Sequence, residues 1–583
     1  ANSINSAIAA NTAKTSNATH TGDVTGATSL TIADDAVTSA KIADGTIVNA
    51  NINASAAIDG SKVSPTFTAD GSFNSISIGK GANSVAGNTV LGELALDASV
   101  SGTFNTAIGK ATLTTLTSGS QNTAIGGNSL KNNTTGSGNT SVGVNSLDAN
   151  TTASNNTAVG LSALTANTTG TLNSAVGANA LDACTTGSSN NAFGTDALGA
   201  LTTGSNNSAF GKLALSSLLT GGFNNAFGQE ALRNTTGNNN NAFGYTALQI
   251  NSSGENNVAV GNAALKNNTT ASNNTAVGKD ALTANTTGSS NTAVGRVALD
   301  ANTTGSNNVA VGNQSLGENT TASQNVAVGD HALNKNTTAN DNTAVGYAAL
   351  FANTTGASNV AVGANALDAN TTAQENTAVG YEALTTTTTG GTNTGIGKQS
   401  LRLLTTGSGN TGLGLHGGHD VTTGSNNMLL GQDAGRSNSP SGSITTASNT
   451  VCIGNSSISA AHIQVAFQTG SDKRDKTDIT DFNFGLDWVN KMRPVTYRWD
   501  NRDWYDNGTP DGSKKAPQLE LGLIAQEELE IEKEFGFGET KEDMLISSIN
   551  SNGSYTMKYD RIVPVLINAI KELSAKVTAL EAG

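Results

Sequence analysis

Small apolar patches recur along most of this chain at a fixed spacing, each set between runs of Asn, Thr and Gly. A glycine that follows Val, Ile, Phe or Leu marks the period. It falls at Gly92, Gly109, Gly126, Gly143, Gly160 and onward to Gly228 in steps of seventeen residues. One step of sixteen leads to Gly244, and seventeen resumes from Gly261 to Gly431 before the pattern loosens towards Gly454. The unit Asn156–Leu172 holds two patches, Ala158 with Val159 and Ala163 with Leu164, separated by Gly160. Patches of that length predict two short strands per unit, and the Asn-Thr-Thr-Gly stretch supplies turns through side chains that bond their own backbone. Each unit is therefore expected to be one strand-turn-strand-turn coil of a solenoid.

The turn glycine of Gly136, Gly170, Gly187 and Gly204 gives way to Ala153, Ala271, Ala322, Ala339 and Ala373, so that corner does not demand positive φ. The glycine after the apolar strand residue is kept throughout, which predicts a clash of any side chain there with a neighbouring coil or subunit. Parallel coils advance by about 4.8 Å, so about twenty of them make a rod on the order of 100 Å long. A coil with one Val and one Leu is thin for a core, and three chains sharing apolar faces would supply the rest.

Two other periods flank the rod. Ile32, Val37, Ile42, Ile47 and Ile52 are spaced by five, continued after a slip by Ile58 and Val63, which resembles the coils of pentapeptide-repeat solenoids. Either a small β-helical neck or another trimeric neck fold fits residues 22–65, and residues 1–21 carry a short helix signal through Ile4 and Ile8. At the other end, Leu566, Ile570, Leu573, Val577 and Leu580 alternate steps of four and three. That is a heptad seam on a helix beginning near residue 559, and its mixture of Leu with β-branched residues suits three strands. All three tryptophans and four of the six prolines fall after residue 460. The chain thus divides into an N-terminal segment (1–21), a neck (22–65), a repetitive β-shaft (66–460) and an ordinary globular domain (461–583).

Composition narrows the class. Aromatic residues make up only 4% and charged residues 13% of the 583 positions, so neither a large conventional core nor a disordered polyelectrolyte fits. An ordered repeat held by backbone hydrogen bonds does. The net charge of −14 leaves no basic stripe for nucleic acid, and no apolar run approaches the length needed to span a bilayer. Cys184 and Cys452 stand far apart in unlike contexts, which predicts two small buried hydrophobes and no disulfide framework. The fold expected is mostly β: a homotrimeric fibrous β-solenoid or β-roll of 17-residue repeats, then an α+β domain ending in a trimeric coiled coil.

One local constellation carries chemistry. Ser471-Asp472-Lys473-Arg474-Asp475-Lys476 stands where the shaft gives way to the globular domain. A serine hydroxyl becomes nucleophilic when a neighbour takes its proton, and a desolvated lysine can do so. Lys476, five residues on, can fold back to Ser471 through a turn. The plainer reading of a Ser-Asp pair before charges is a helix cap or a loop.

SDKRDKTDI resembles the opening of the intramolecular chaperone autoprotease domain found at the ends of phage tail fibres and tailspikes, endosialidases included. Further matches follow in order: Trp488, then Arg493-Pro494-Val495-Thr496-Tyr497-Arg498-Trp499, then Gly522-Leu523-Ile524-Ala525-Gln526-Glu527, then Tyr559 leading into the last helix. The resemblance covers about residues 470 to 583 and implies a domain that brings three fibre chains into register. In many members the bond before the motif serine is then cut, here Gly470-Ser471. On that resemblance Ser471 is the nucleophile, Lys476 the general base and Asp472 the accompanying acid. Asp475 stands where the family usually carries an apolar residue such as leucine, and a carboxylate beside the base favours its protonated form. Whether the domain is a single-turnover serine-lysine autoprotease or a retained chaperone is left open by the sequence.

The repeats resemble the NTAVG-type β-roll of trimeric autotransporter adhesin heads and the shafts of marine phage fibres, with a longer period than the usual adhesin repeat. GDVTGATSLTI and DAVTSAKIADGTI, between Gly22 and Val63, resemble fibre proteins of cyanobacterial phages. These resemblances imply a virion tail fibre that binds a host cell-surface receptor, glycan or protein, and joins other tail proteins through its N-terminal end. The alternative is a trimeric adhesin on a bacterial surface. A tailspike that cleaves polysaccharide would need acids and aromatic platforms, which the shaft hardly offers. No cofactor is expected. His416 and His419 in LHGGHD are weak metal candidates near a threefold axis, against the plainer reading of loop histidines. Glu520, Glu527, Glu528 and Glu530 read as a solvated helical face rather than as paired glycosidase carboxylates.

Overall fold

In the computed structural model, residues 24–25, 31–32, 71–458, 461–462, 464, 470–550 and 553–583 are described. The chain falls into two compact units, 1–68 and 69–583. In the first, β1 (Val24–Thr25) pairs antiparallel with β2 (Thr31–Ile32). The helix expected through Ile4 and Ile8 and the five-residue period after Ile32 lie outside the described residues.

The second unit opens with β3 (Gly71–Phe73) and β4 (Ile76–Gly79), an antiparallel pair whose second strand runs antiparallel to β5 (Thr89–Gly92). From β5 to β26 (Val451–Ile453) every strand is parallel to the next, in register, one per coil. This is a β-solenoid of about twenty turns. The hairpin covers the free edge of its first parallel strand, an edge that would otherwise invite pairing with another chain.

The coil differs from the expectation in strand count. Only Thr157–Val159 of the unit Asn156–Leu172 is a strand. The second patch, Ala163-Leu164, is a turn in which Ser162 and Leu164 sit at φ 55° and 52°. Leucine repeats this left-handed conformation from coil to coil, at Leu147, Leu181 and Leu198 among others. The tight bend brings the Leu side chain inward, and its backbone still bonds the next coil, Leu164 N–H donating to Ala180 O at 3.0 Å. A strand at this point would have carried the chain straight on.

The interior is also fuller than one Val and one Leu. Strand alternation turns Ala158 inward and Val159 outward, and Ala158, Ala163 and Leu164 are all fully buried within a single chain. The remaining core is asparagine. Asn156, Asn173 and Asn190 belong to a ladder running from Asn88 to Asn427, in which each Oδ1 accepts the backbone N–H of the next rung, at 2.9 Å for both Asn173 and Asn190. Each rung's Nδ2 donates to a turn carbonyl, as Asn173 does to Gly187 O at 2.8 Å. A second ladder, through Asn133, Asn150 and Asn167 and again from Asn251 to Asn370, joins amide to amide, for example Asn150 Nδ2 to Asn133 Oδ1 at 2.9 Å. Cys184, Leu201, Leu218 and Thr235 interrupt it, and Thr235 lies in the one coil of sixteen residues. Because buried amides are costly unless paired, the ladders fix the register of each coil on the last.

The invariant glycine behaves as its conservation along the chain predicted. Gly160 has φ 140°, and a Cβ there would lie 2.4 Å from Gly177 O in the next coil. At the alanine corners, Ala153 and Ala322 are buried without positive φ. Both cysteines are free and buried, as expected, and burial pushes the Cys184 thiol up to about 11.

The C-terminal region is a small α+β assembly. Helices α1 (Leu486–Lys491), α2 (Ala525–Glu534) and α3 (Ile562–Ala582) accompany two antiparallel pairs, β27 (Val495–Tyr497) with β28 (Glu520–Gly522) and β29 (Ser547–Ile549) with β30 (Tyr555–Met557). Its core gathers Trp488, Ile531, Ile546 and Val565, with the Trp488 ring stacked on Phe535 at 4.8 Å. Among the described residues, no helix is long and apolar enough to cross a membrane.

Candidate self-cleavage site and its supporting domain

Ser471 lies just ahead of a 3-10 turn, Lys473–Asp475, which reverses the chain. Asp472 caps that turn by accepting from Arg474 N at 2.9 Å, and Lys476 N–H returns to Lys473 O at 3.3 Å. The reversal carries Lys476 back over five residues, so that its Nζ donates to Ser471 Oγ at 2.6 Å. Asp472 thus caps the turn, and the Ser471–Lys476 contact forms beside it on different residues.

Asp472 takes no part in the Ser471–Lys476 contact. Its carboxylate is engaged by the Arg474 guanidinium, Nη2 at 2.6 Å and Nε at 3.1 Å, and this hydrogen bonding holds it below the ordinary carboxylate range. Ser471, Lys476 and Asp475 are all exposed in the single chain, and Gly470 has open space around it. The arrangement can transfer a proton between hydroxyl and amine. Desolvation, the step that makes a lysine a good base, has to come from elsewhere.

Within the domain that follows, residues distant in the chain meet in space. Arg493 clamps Glu527, Nε to Oε2 at 3.0 Å with its Nη2 on the other oxygen, and these bonds hold the Glu527 carboxyl low. Trp488 Nε1 donates to Glu528 at 2.8 Å. The Tyr559 hydroxyl accepts from Leu523 N at 3.0 Å, directly before α3. One cross-link per motif ties α1, α2 and the start of α3 into one body.

The solvated-face reading of the glutamates holds for Glu527 and for Glu530, which pairs with Lys533 at 2.8 Å, whereas Glu520 lies on strand β28 and not on a helix. It fails for Glu528, which is buried, with desolvation raising its carboxyl pKa. Sequence reasoning also missed Glu532, fully buried and accepting the backbone N–H groups of Leu545, Ile546 and Ser547. The signal available was their spacing of four, which puts both on the face of α2 that Leu529 and Ile531 flank.

The heptad residues Leu566, Ile570, Leu573, Val577 and Leu580 do line α3, and all are exposed; Val565 and Ala569 face the domain instead. His416 and His419 sit with their rings 5.5 Å apart, each held by a carboxylate: His416 Nδ1 by Asp433 at 3.1 Å and His419 Nδ1 by Asp420 at 2.7 Å. His416 Nε2 faces Gln399 Oε1 at 3.0 Å, so both its ring nitrogens are engaged within the chain.

Residues 471–537 match the family model Peptidase_S74, described as the chaperone of endosialidase. No curated protein matches the chain. A chaperone domain of this type behind a β-solenoid of 17-residue repeats fits a tail fibre, and it supports a trimeric fibre with an intramolecular chaperone.

Proposed function

We propose that this chain is a phage tail fibre protein that attaches the virion to a receptor on its host, and that its C-terminal domain registers three chains and then severs itself at Gly470-Ser471. The contact that carries the second half is Lys476 Nζ to Ser471 Oγ at 2.6 Å, immediately after the bond to be cut. In the reacting form the neutral Lys476 amine accepts the Ser471 hydroxyl proton, and Oγ adds to the Gly470 carbonyl carbon. The amide C–N bond breaks as the Ser471 nitrogen takes up a proton, leaving an ester. Water then hydrolyses the ester to a Gly470 carboxylate and a free Ser471 amine and hydroxyl. In one chain both side chains are exposed; the neighbouring chains of the trimer are the proposed source of the cover that the base requires.

Attachment rests on geometry: a long rod is a spacer, and three copies of any weak contact on it bind with avidity. The trimeric bacterial adhesin remains the second reading, favoured by the NTAVG-type repeats. Intact mass of the full-length protein under denaturing conditions, beside a Ser471→Ala variant, tests the cleavage. Two fragments meeting at Gly470-Ser471 in the wild type alone are expected. An uncut wild-type chain would reverse this reading and make the domain a permanent cap.

A further inference from the structure

We propose that the edge of the shaft built by the turn after the invariant glycine binds a saccharide chain of the host surface, with Tyr347 and Tyr381 as its stacking platforms. This rests on the attachment reading and deepens it, placing the receptor on the flank of the rod and naming its chemical class.

The coils repeat one another closely except along this edge. Thr169, Thr186, Thr203 and Thr304 are exposed, yet that corner is threonine in nearly every coil. Directly after the invariant glycine the residue changes at each step, through Arg296, Asn313, Asp330, Tyr347, Ala364 and Tyr381. From Lys110 to Arg402, every charge apart from Glu255, Asp341 and Glu375 lies between that glycine and the second residue after the inward leucine. All three tyrosines of the shaft, Tyr245, Tyr347 and Tyr381, occupy the first position of the turn, and they are 52%, 56% and 47% exposed. Drift on a free surface would scatter tyrosine over every exposed position. Charge is depleted from the centres of protein interfaces, so an edge this rich in it stays in contact with water when chains associate.

One stretch of the edge is built as a site. Tyr347 and Tyr381 stand two coils apart, about 10 Å, and between them the same position is Ala364, which leaves a gap between the rings. The Tyr381 ring is held in place: Lys398 Nζ lies over it at 6.0 Å from the centroid, and its hydroxyl is bonded to Glu382. Glu382 also accepts from Gln399 Nε2 at 2.8 Å and from Arg402 Nε at 2.9 Å. These bonds, the Tyr381 hydroxyl foremost, hold its carboxyl below the ordinary range. A sugar ring offers an apolar C–H face to an aromatic ring and hydroxyls at its rim. This edge supplies both halves of the match, two amphipathic tyrosines with amide, guanidinium and carboxylate groups already fixed beside one of them. A protein partner would require a charge-poor apolar centre, whereas here Asp330 and Lys398 bracket the tyrosines. Glycoside cleavage is not implied, since it needs a protonated acid opposite a second carboxylate, and Glu382 is held ionised.

The test measures adsorption of fluorescently labelled full-length protein to host cells that are untreated, oxidised with periodate to open the diols of their surface glycans, or shaved with protease. Tyr347→Ala/Tyr381→Ala is compared with wild type and with Thr304→Ala on the constant corner, with native mass and melting measured for each. The double variant should need on the order of tenfold more protein for half-saturation, and Thr304→Ala no more than wild type. Wild-type adsorption should vanish after periodate and survive protease. Tyr347→Ala alone removes a ring that bonds nothing else among the described residues; it should weaken adsorption with unchanged melting, which separates lost contact from lost folding. Undiminished adsorption of the double variant would overturn the flank site and leave attachment standing. Adsorption that resists periodate and is lost to protease would overturn the saccharide in favour of a protein receptor. A wild type that adsorbs to no cell would end the attachment reading and this inference together.

Discussion

At the scale of the residue, this shaft is held by buried amides as well as by hydrocarbon. Asn291 shows how much one rung does. Its backbone N–H donates to Asn274 Oδ1 at 2.9 Å, its Nδ2 to Gly305 O at 2.9 Å, and its Oδ1 accepts Asn308 N–H at 3.0 Å. Asn291→Ala would leave the Asn308 N–H buried without a partner and remove one of two donors from Gly305 O, the other being Asn302 Nδ2. An unsatisfied buried group costs about 1–3 kcal/mol, so the variant should lose about that much local stability. Thr292→Ala, on the outward face next door, should stay within about 0.5 kcal/mol. Because solenoid coils open locally, amide exchange resolved by coil is the measurement, with the loss expected around coils 274–308 and not at the ends of the rod. Equal exchange in the two variants would mean that the ladder is decorative.

At the scale of the element, helix α2 carries two buried carboxylates where its sequence reads as a polar surface. Burial raises the Glu528 carboxyl pKa; the Trp488 N–H opposes the rise and Glu532 adds to it. A carboxyl whose folded pKa exceeds its unfolded one holds its proton more tightly when folded. Its effect is therefore absent below the ordinary value of 4.5, and stability falls as pH climbs from there through the raised folded pKa. Glu528→Gln keeps an acceptor for Trp488 and removes the charge, so the domain should melt higher than wild type at pH 7, with the difference shrinking towards pH 4. Thermal melts across that range decide it, and a constant difference would place the cause outside titration. The sequence made some of this legible and hid the rest for identifiable reasons. The period, the clash at Gly160 and the Ser471–Lys476 reach follow from spacing, which the chain displays. The single strand per coil does not, because Ala163-Leu164 has the composition of a strand and nothing in a leucine announces φ near 50°. The Thr-Ala-Val alternation did carry the outward turn of Val159, yet reading Ala158 and Val159 as one patch concealed it. Glu528 and Glu532 were hidden because their partners, Trp488 and the 545–547 backbone, are distant in the chain.

At the scale of the whole molecule, the repeat makes length an independent variable. Each coil bonds chiefly to its two neighbours, through the strand register, the turn carbonyls and the two asparagine ladders, so stability is close to a sum of identical local terms. Between Asn251 and Asn370 both ladders are continuous and every coil has seventeen residues. Removing residues 275–342, four whole coils, joins Asn274 to Thr343 and places Asn359 as the next rung after Asn274 and Asn353 as the next after Asn268. Every buried amide then finds the partner type it had before. The shaft should fold, melt nearly as the parent does, and be shorter by roughly 19 Å at about 4.8 Å per coil when imaged by electron microscopy. Removing residues 275–338 instead takes out nearly the same mass but joins Asn274 to Ala339. That places the corner residues 339–342 directly after the rung at Asn274, where a strand should start, and lengthens that one coil by four residues, while the coils beyond keep their seventeen-residue spacing. It should unfold locally, aggregate through its exposed strand edges, or both. If the two deletions behaved alike, coil register would not be what orders the rod; if only the first yields a straight, shorter fibre, the seventeen-residue unit is the quantum of its construction.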